Sequence, residues 1–240
     1  MEKLITSQNI RNFAYVNENL CKGKIKGIIV RFLGLGLTVM HDTDTDEGKY
    51  YAEKNILYVM PYNNPWSWMN KQAVAYTNEI IDVLIQKYNL SESLPIVYMG
   101  GSMGGQSALT YTVYSKYKPI ACVVNCPVCD VVYHLNERAD LPKTLYSALF
   151  NEQTSFANAL ESISPFHLID KMPKIEYHFF HGDKDIMVSL DHSKRMVREL
   201  KKHNYNVTFD IMEGCGHGDL TPKAKEMFLD YPIKAIEKFY

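Results

Sequence analysis

A serine framed by glycines is the first place in this sequence where residue type and spacing suggest chemistry. Gly100-Gly101-Ser102-Met103-Gly104-Gly105 directly follows the apolar run Ile96-Val97-Tyr98-Met99 and opens a helical pattern. A sharp strand-to-helix turn of this kind lifts a hydroxyl clear of the sheet end, and the small neighbours tolerate its strained backbone. The helix N-terminus beneath it also favours developing negative charge. The competing reading is a glycine-rich turn whose serine only caps a helix. The strand before it and the helix after it favour a nucleophile.

A serine hydroxyl is a poor nucleophile at neutral pH, so that reading requires a histidine base and a carboxylate to orient it. Two downstream clusters at strand ends supply both types: His181-Gly182-Asp183-Lys184-Asp185, and Glu213-Gly214-Cys215-Gly216-His217-Gly218-Asp219. Either Asp183 or Asp185 can be the carboxylate. The oxyanion of an acyl transfer needs two backbone donors. One is expected from Met103, the residue after the nucleophile, and the other from the loop after the first core strand, Phe32-Leu33-Gly34-Leu35-Gly36-Leu37.

The elements that must position these residues are short apolar runs alternating with helical patterns. Runs at 28–33, 56–60, 96–99, 120–124, 177–180 and 207–211 have strand length and are rich in β-branched or aromatic residues. Being mostly continuous rather than alternating, they suit a parallel sheet covered on both faces. Ala73, Val74, Thr77, Ile80, Ile81, Leu84, Ile85 and Tyr88 form one stripe of a helix over 71–88. Further helices are predicted over 103–117, 191–202 and from 223 to the end, the last interrupted or bent near Pro232. The alternation predicts a doubly wound α/β fold with its site at the carboxyl ends of the strands. Residues 126–171 break the pattern and are expected to form a cap-like insertion within a single domain over 1–240.

Taken together, the Gly-Gly-Ser-Met-Gly-Gly turn, Ser-Pro-Phe-His at 164–167, His-Gly-Asp-Lys-Asp at 181–185 and Gly-Cys-Gly-His-Gly at 214–218 resemble an α/β-hydrolase of the prolyl-oligopeptidase and dienelactone-hydrolase type, without the propeller of the large peptidases. The chain order Ser, Asp, His is that of the superfamily. The resemblance implies that Ser102 is the nucleophile, Asp185 the acid and His217 the base, with His181 a structural histidine. It also implies that Leu35 donates the second oxyanion hydrogen bond, although Leu33 stands where related hydrolases carry histidine. Tyr62 is a weaker alternative donor. Tyr62, Trp66 and Trp68 follow a strand end and are expected to overhang the substrate, with Tyr133, His134 and the insertion as a roof.

Composition bounds the rest. In 240 residues, 26 basic and 27 acidic side chains leave a net charge of −1, which argues against nucleic acid or an anionic membrane as the main partner. No stretch nears the roughly 18 apolar residues of a membrane span. Five scattered cysteines suit a reducing compartment, so a cytoplasmic location is expected. Cys126-Pro-Val-Cys129 lacks a second ligand pair and is read as packing or pocket lining, and Cys215 lacks the elbow of a nucleophile. The expected activity is metal- and cofactor-independent hydrolysis of carboxylic esters through an acyl-enzyme. The alternatives are a peptidase acting on short peptides, disfavoured because no acidic pair for a substrate amine is identifiable, and a non-catalytic binding protein.

Overall fold

The continuous apolar runs at 28–33, 56–60, 96–99, 120–124 and 177–180 are buried on both sides because each of these strands feeds two cores, whereas the run at 207–211 lies at the sheet edge and is only partly covered, with Ile211 exposed. In the computed structural model, which describes residues 4–91 and 93–240, Ile28, Val30 and Phe32 point into one apolar cluster and Ile29 into the other. The strands are β1 (Ala14–Val16), β2 (Gly27–Phe32), β3 (Ile56–Pro61), β4 (Ile96–Gly101), β5 (Ala121–Asn125), β6 (Glu176–Gly182) and β7 (Asn206–Met212). They form one sheet in the order β1-β3-β2-β4-β5-β6-β7, parallel except that β1 runs antiparallel to β3.

The helices are α1 (Asp46–Ala52), α2 (Lys71–Lys87), α3 (Met103–Tyr114), α4 (Val131–His134), α5 (Leu141–Leu149), α6 (Phe156–Ser162), α7 (Asp191–Lys202) and α8 (Pro222–Glu237). α2 starts where the Asn70 side chain accepts the Ala73 N–H, and its stripe of Ala73, Thr77, Ile80, Ile81 and Leu84 is buried. α3 stops at Tyr114 rather than 117, because Ser115 is extended and its hydroxyl accepts the Tyr117 N–H. Of the two outcomes expected at Pro232, an interruption or a bend, the interruption does not occur. α8 continues through it, and Phe228, Ile233 and Ile236 on either side stay packed against the sheet. Proline costs the helix one hydrogen bond, and this burial offsets it. The described residues contain no propeller blade, and none of their helices is long and apolar enough to cross a membrane.

Between β5 and β6, α4, α5, α6 and a 3-10 turn at Pro165–Lys171 close over their own apolar cluster, which includes Val131, Leu141, Leu145, Leu149 and Leu160. Trp68 belongs to that cluster. Its side chain is 1% exposed, and its indole N–H donates to Thr144 Oγ1 at 3.1 Å. This corrects the expectation that Trp68 overhangs substrate: the strand-end loop that carries it is itself covered by the insertion.

A polar knot ties the insertion to α7. His134 Nδ1 and His192 Nε2 both donate to Glu137 Oε2, at 2.6 and 2.8 Å, while His192 Nδ1 accepts the Asp130 N–H at 3.2 Å. His134 is therefore an anchor, not a roof residue. Burial pushes both imidazoles below the ordinary histidine value despite the opposing pull of Glu137, so both are held neutral. The unfolded chain takes up these protons first, starting near its ordinary pKa of about 6.5, so stability is lost as the pH falls through that value. Because the raised His217 pulls the other way over this range, the readout is the difference: from about pH 7.5 to about pH 5.5 the Tm of the wild type is expected to change less favourably than that of His192→Gln. An equal change in the two proteins would show that this knot does not contribute.

Candidate active site

The elbow is held in a conformation that the sequence context makes feasible. Ser102 has φ 57° and ψ −127°, a region costing about 1–3 kcal/mol for a residue with a side chain. Its N–H donates to Asn125 O at 3.0 Å, and its carbonyl accepts the Gln106 N–H at 3.0 Å as α3 begins. Gly104 allows that first helical turn to lie against the end of β2, since a Cβ there would sit 2.2 Å from Phe32 O. The 33–35 loop is thereby brought beside the nucleophile.

Three strand ends converge on Ser102. His217 Nε2 lies 3.0 Å from Ser102 Oγ, and His217 Nδ1 lies 2.8 Å from Asp185 Oδ2. The 214–218 loop reaches this position because Gly182 has no side chain: a Cβ there would meet Cys215 O at 2.3 Å. The Asn125 side chain adds a tether by donating to Gly218 O at 2.9 Å.

Asp185, fully buried, is the best-satisfied group in the site. Its Oδ1 accepts the N–H groups of Met187 and Val188 at 2.8 and 2.9 Å, and Oδ2 faces both His217 and, at 3.3 Å, His181 Nε2. Burial alone pushes this carboxyl up, but the hydrogen bonds from His181, His217, Val188 and Met187 outweigh it and hold the group well below the usual carboxylate range. His217 is raised above the ordinary histidine value, chiefly by Asp185 and then by the neighbouring Cys126 thiol, against its own desolvation.

His181 was legible only as a structural residue. It is fully buried within β6, with Nδ1 2.8 Å from Ser193 Oγ and Nε2 3.0 Å from Val188 O, so it fixes the turn that carries Asp185. Asp183, the other carboxylate of that turn, accepts the Gly214 N–H at 2.7 Å and does not meet His217 in the hydrogen-bond network.

Met103 is the first residue of α3, so its N–H has no acceptor inside the helix. In the facing loop, Gly36 N–H donates to Pro65 O and Leu37 N–H to Gly34 O, while no backbone acceptor among the described residues takes the Leu35 N–H.

Ser102 and His217 open into a cavity of about 660 Å³ lined by Arg31, Leu33, Leu35, Leu37, Glu47, Cys126, Arg138, Met187, Asp219, Lys225 and Phe228 among others. Tyr62 and Trp66 are not among its lining residues. The Tyr62 hydroxyl turns away to accept the His41 N–H at 2.9 Å, and the Trp66 ring lies against Lys143 of α5. Tyr133 packs edge-on to His192 instead of over the cavity. Its wall is drawn from β2 and its loop, Glu47 of α1, Arg138 of the insertion, the loops after β6 and β7, and α8, elements whose approach to Ser102 depends on tertiary packing.

Two clusters bring three donor atoms within 4.8 Å of one another: Cys126 with Asp185 and His217, and His134 with Glu137 and His192. In each, the carboxylate already receives imidazole hydrogen bonds. His192 Nδ1 accepts a backbone N–H, which leaves the proton on Nε2, so a cation there would have to displace it. Cys129 is buried with Sγ 3.6 Å from Pro127 O, and both cysteines of the 126–129 motif are free thiols.

Comparison with solved structures finds the same fold in proteins of low identity. A puromycin-hydrolyzing peptidase of Mycobacterium tuberculosis superposes with TM-score 0.70 at 17% identity, over 90% of this chain and 34% of that one. An acylaminoacyl peptidase of Pyrococcus horikoshii gives 0.71 at 13% identity, over 91% and 38%. Esterase B of Lactobacillus rhamnosis gives 0.68 at 11% identity, over 91% and 79%. The chain thus spans about a third of the length of the two peptidases and most of the esterase. No curated protein sequence matches it. A family profile does match, over residues 41–231, a stretch that includes the elbow and both downstream clusters, and on that match the chain belongs to the prolyl oligopeptidase family of α/β-hydrolases.

Proposed function

We propose that this protein is a serine hydrolase that cleaves carboxylic esters through an acyl-enzyme. The observation that carries the proposal is the hydrogen-bonded run from Ser102 Oγ through His217 to buried Asp185, at 3.0 and 2.8 Å, set on a strained elbow. Membership of a family of serine hydrolases supports the reaction class.

In this reading Ser102 Oγ attacks the ester carbonyl while His217 Nε2 takes its proton. Asp185 keeps the other imidazole proton on Nδ1 and stabilises the imidazolium that forms. The N–H groups of Met103 and Leu35 receive the oxyanion. The proton passes from His217 to the leaving alcohol, whose departure leaves the acyl group on Ser102. His217 then activates a water that releases the acid.

Ester rather than peptide cleavage is favoured by the cavity's charges. Glu47 accepts the Tyr58 hydroxyl and Asp219 the Gly216 N–H at 3.0 Å, and the cavity's Arg31, Arg138 and Lys225 outnumber these two carboxylates, which disfavours a substrate ammonium. Steady-state rates on matched phenyl esters and dipeptide anilides test this. Faster turnover of the esters by about a hundredfold or more in kcat/KM is expected, and comparable turnover of the anilides would move the protein to the peptidases.

A further inference from the structure

Arg31, in the wall of the catalytic cavity, has no hydrogen-bond or ion-pair partner among the described residues. It lies on β2 and shares the sheet face of Ile29, with its guanidinium carbon 5.2 Å from the centroid of the Phe228 ring on α8. Its Nη1 is buried and makes no hydrogen bond, and none of the ion pairs among the described residues involves it. The residue lines the same cavity as Ser102 and His217.

An arginine cannot relieve this by losing its proton, because its pKa lies far above any working pH. A partly buried guanidinium therefore calls for an acceptor, and its planar fork suits a carboxylate best. The other charges of the cavity do not supply one. Glu47 accepts the Tyr58 hydroxyl and Asp219 the Gly216 N–H without an ion pair from either to Arg31 among the described residues, and Arg138 is forked onto Asp140 at 3.0 and 2.6 Å. Lys225, exposed on the same wall, adds positive charge.

We infer that Arg31 is a specificity residue that receives a carboxylate of the substrate, so that the natural ester is anionic and carries a carboxylate besides the one released by cleavage. This rests on the hydrolase reading above. Phe228 lies against the guanidinium and Nη1 is buried, so Nε and Nη2, which are neither buried nor hydrogen-bonded among the described residues, are the atoms offered to a substrate held with its ester carbonyl at Ser102.

The test compares charged and neutral esters of similar shape. One pair places the carboxylate on the acyl side, mono(4-nitrophenyl) succinate against 4-nitrophenyl butyrate. The other places it on the alcohol side, 3-carboxyphenyl butyrate against phenyl butyrate. In the wild type the charged member of one pair is expected to have the higher kcat/KM by about tenfold or more, mainly through KM, as for a charge-assisted hydrogen bond. That preference is expected to vanish in Arg31→Gln and to return in part in Arg31→Lys. No preference in either pair, or one that survives Arg31→Gln, overturns the inference. Calorimetric titration of monomethyl succinate and methyl butyrate into Ser102→Ala, with and without Arg31→Gln, needs no turnover and separates this from failure of the hydrolase reading. Binding of the anion tighter by about tenfold, lost in Arg31→Gln, upholds Arg31 even if no ester is cleaved, and equal binding refutes it.

Discussion

Ser102→Ala is expected to lower kcat/KM for an activated ester by about four orders of magnitude or more, and to abolish labelling by a fluorophosphonate. The reason is geometric. The elbow points one hydroxyl at His217 Nε2 at 3.0 Å, and alanine leaves that base with nothing to deprotonate except water. What persists should be the modest rate that oxyanion donors and binding give by themselves. The substitution removes only an oxygen from a residue whose backbone is fixed by Asn125 and Gln106, so the fold should be retained. Circular dichroism and Tm alongside the assay check that. Retained turnover in a folded variant would mean that another group, Cys126 being the nearest thiol on the cavity wall, attacks the substrate.

Asp185→Asn is expected to cost about three to four orders of magnitude in kcat/KM while leaving substrate affinity largely intact. An amide at this position can offer His217 Nδ1 an N–H instead of an acceptor, which fixes the wrong tautomer and removes the charge that stabilises the imidazolium. The pH profile supplies a second readout. Catalysis needs His217 neutral, so the rate rises as pH climbs through the pKa of that group. In the wild type the limb should lie above the ordinary histidine value of about 6.5, because Asp185 raises the imidazole. In Asp185→Asn it should move to lower pH. An unshifted limb would show that the titration belongs to another group.

The elbow and both downstream clusters were legible in the sequence because each depends on local requirements. Glycines are needed where backbone approaches backbone, and continuous apolar runs are needed where a strand is covered on both faces. What was not legible depends on distant partners. β1 is three residues long, too short for any periodicity, and it is defined only by pairing with β3. α1 lies in an Asp- and Thr-rich stretch and was missed, although Thr45 capping the Gly48 N–H before Asp46 and Glu47 is a start signal that could have marked it. Trp68 looked like a substrate contact because loop aromatics after a strand end often are. Its burial follows from helices about 75 residues further along the chain. Arg31 is one polar residue inside an apolar run, and only the assembled cavity shows that none of the described residues pairs with it.

Quenching the enzyme with acid during turnover of a slowly deacylating aryl ester, followed by peptide mass spectrometry, examines the covalent intermediate on which the whole reading depends. The expected result is an acyl group on the peptide containing Ser102, absent in Ser102→Ala and accumulating in proportion to the burst of released phenol. Turnover with no adduct, or an acyl group carried by Cys126 with Ser102 unmodified, would contradict it.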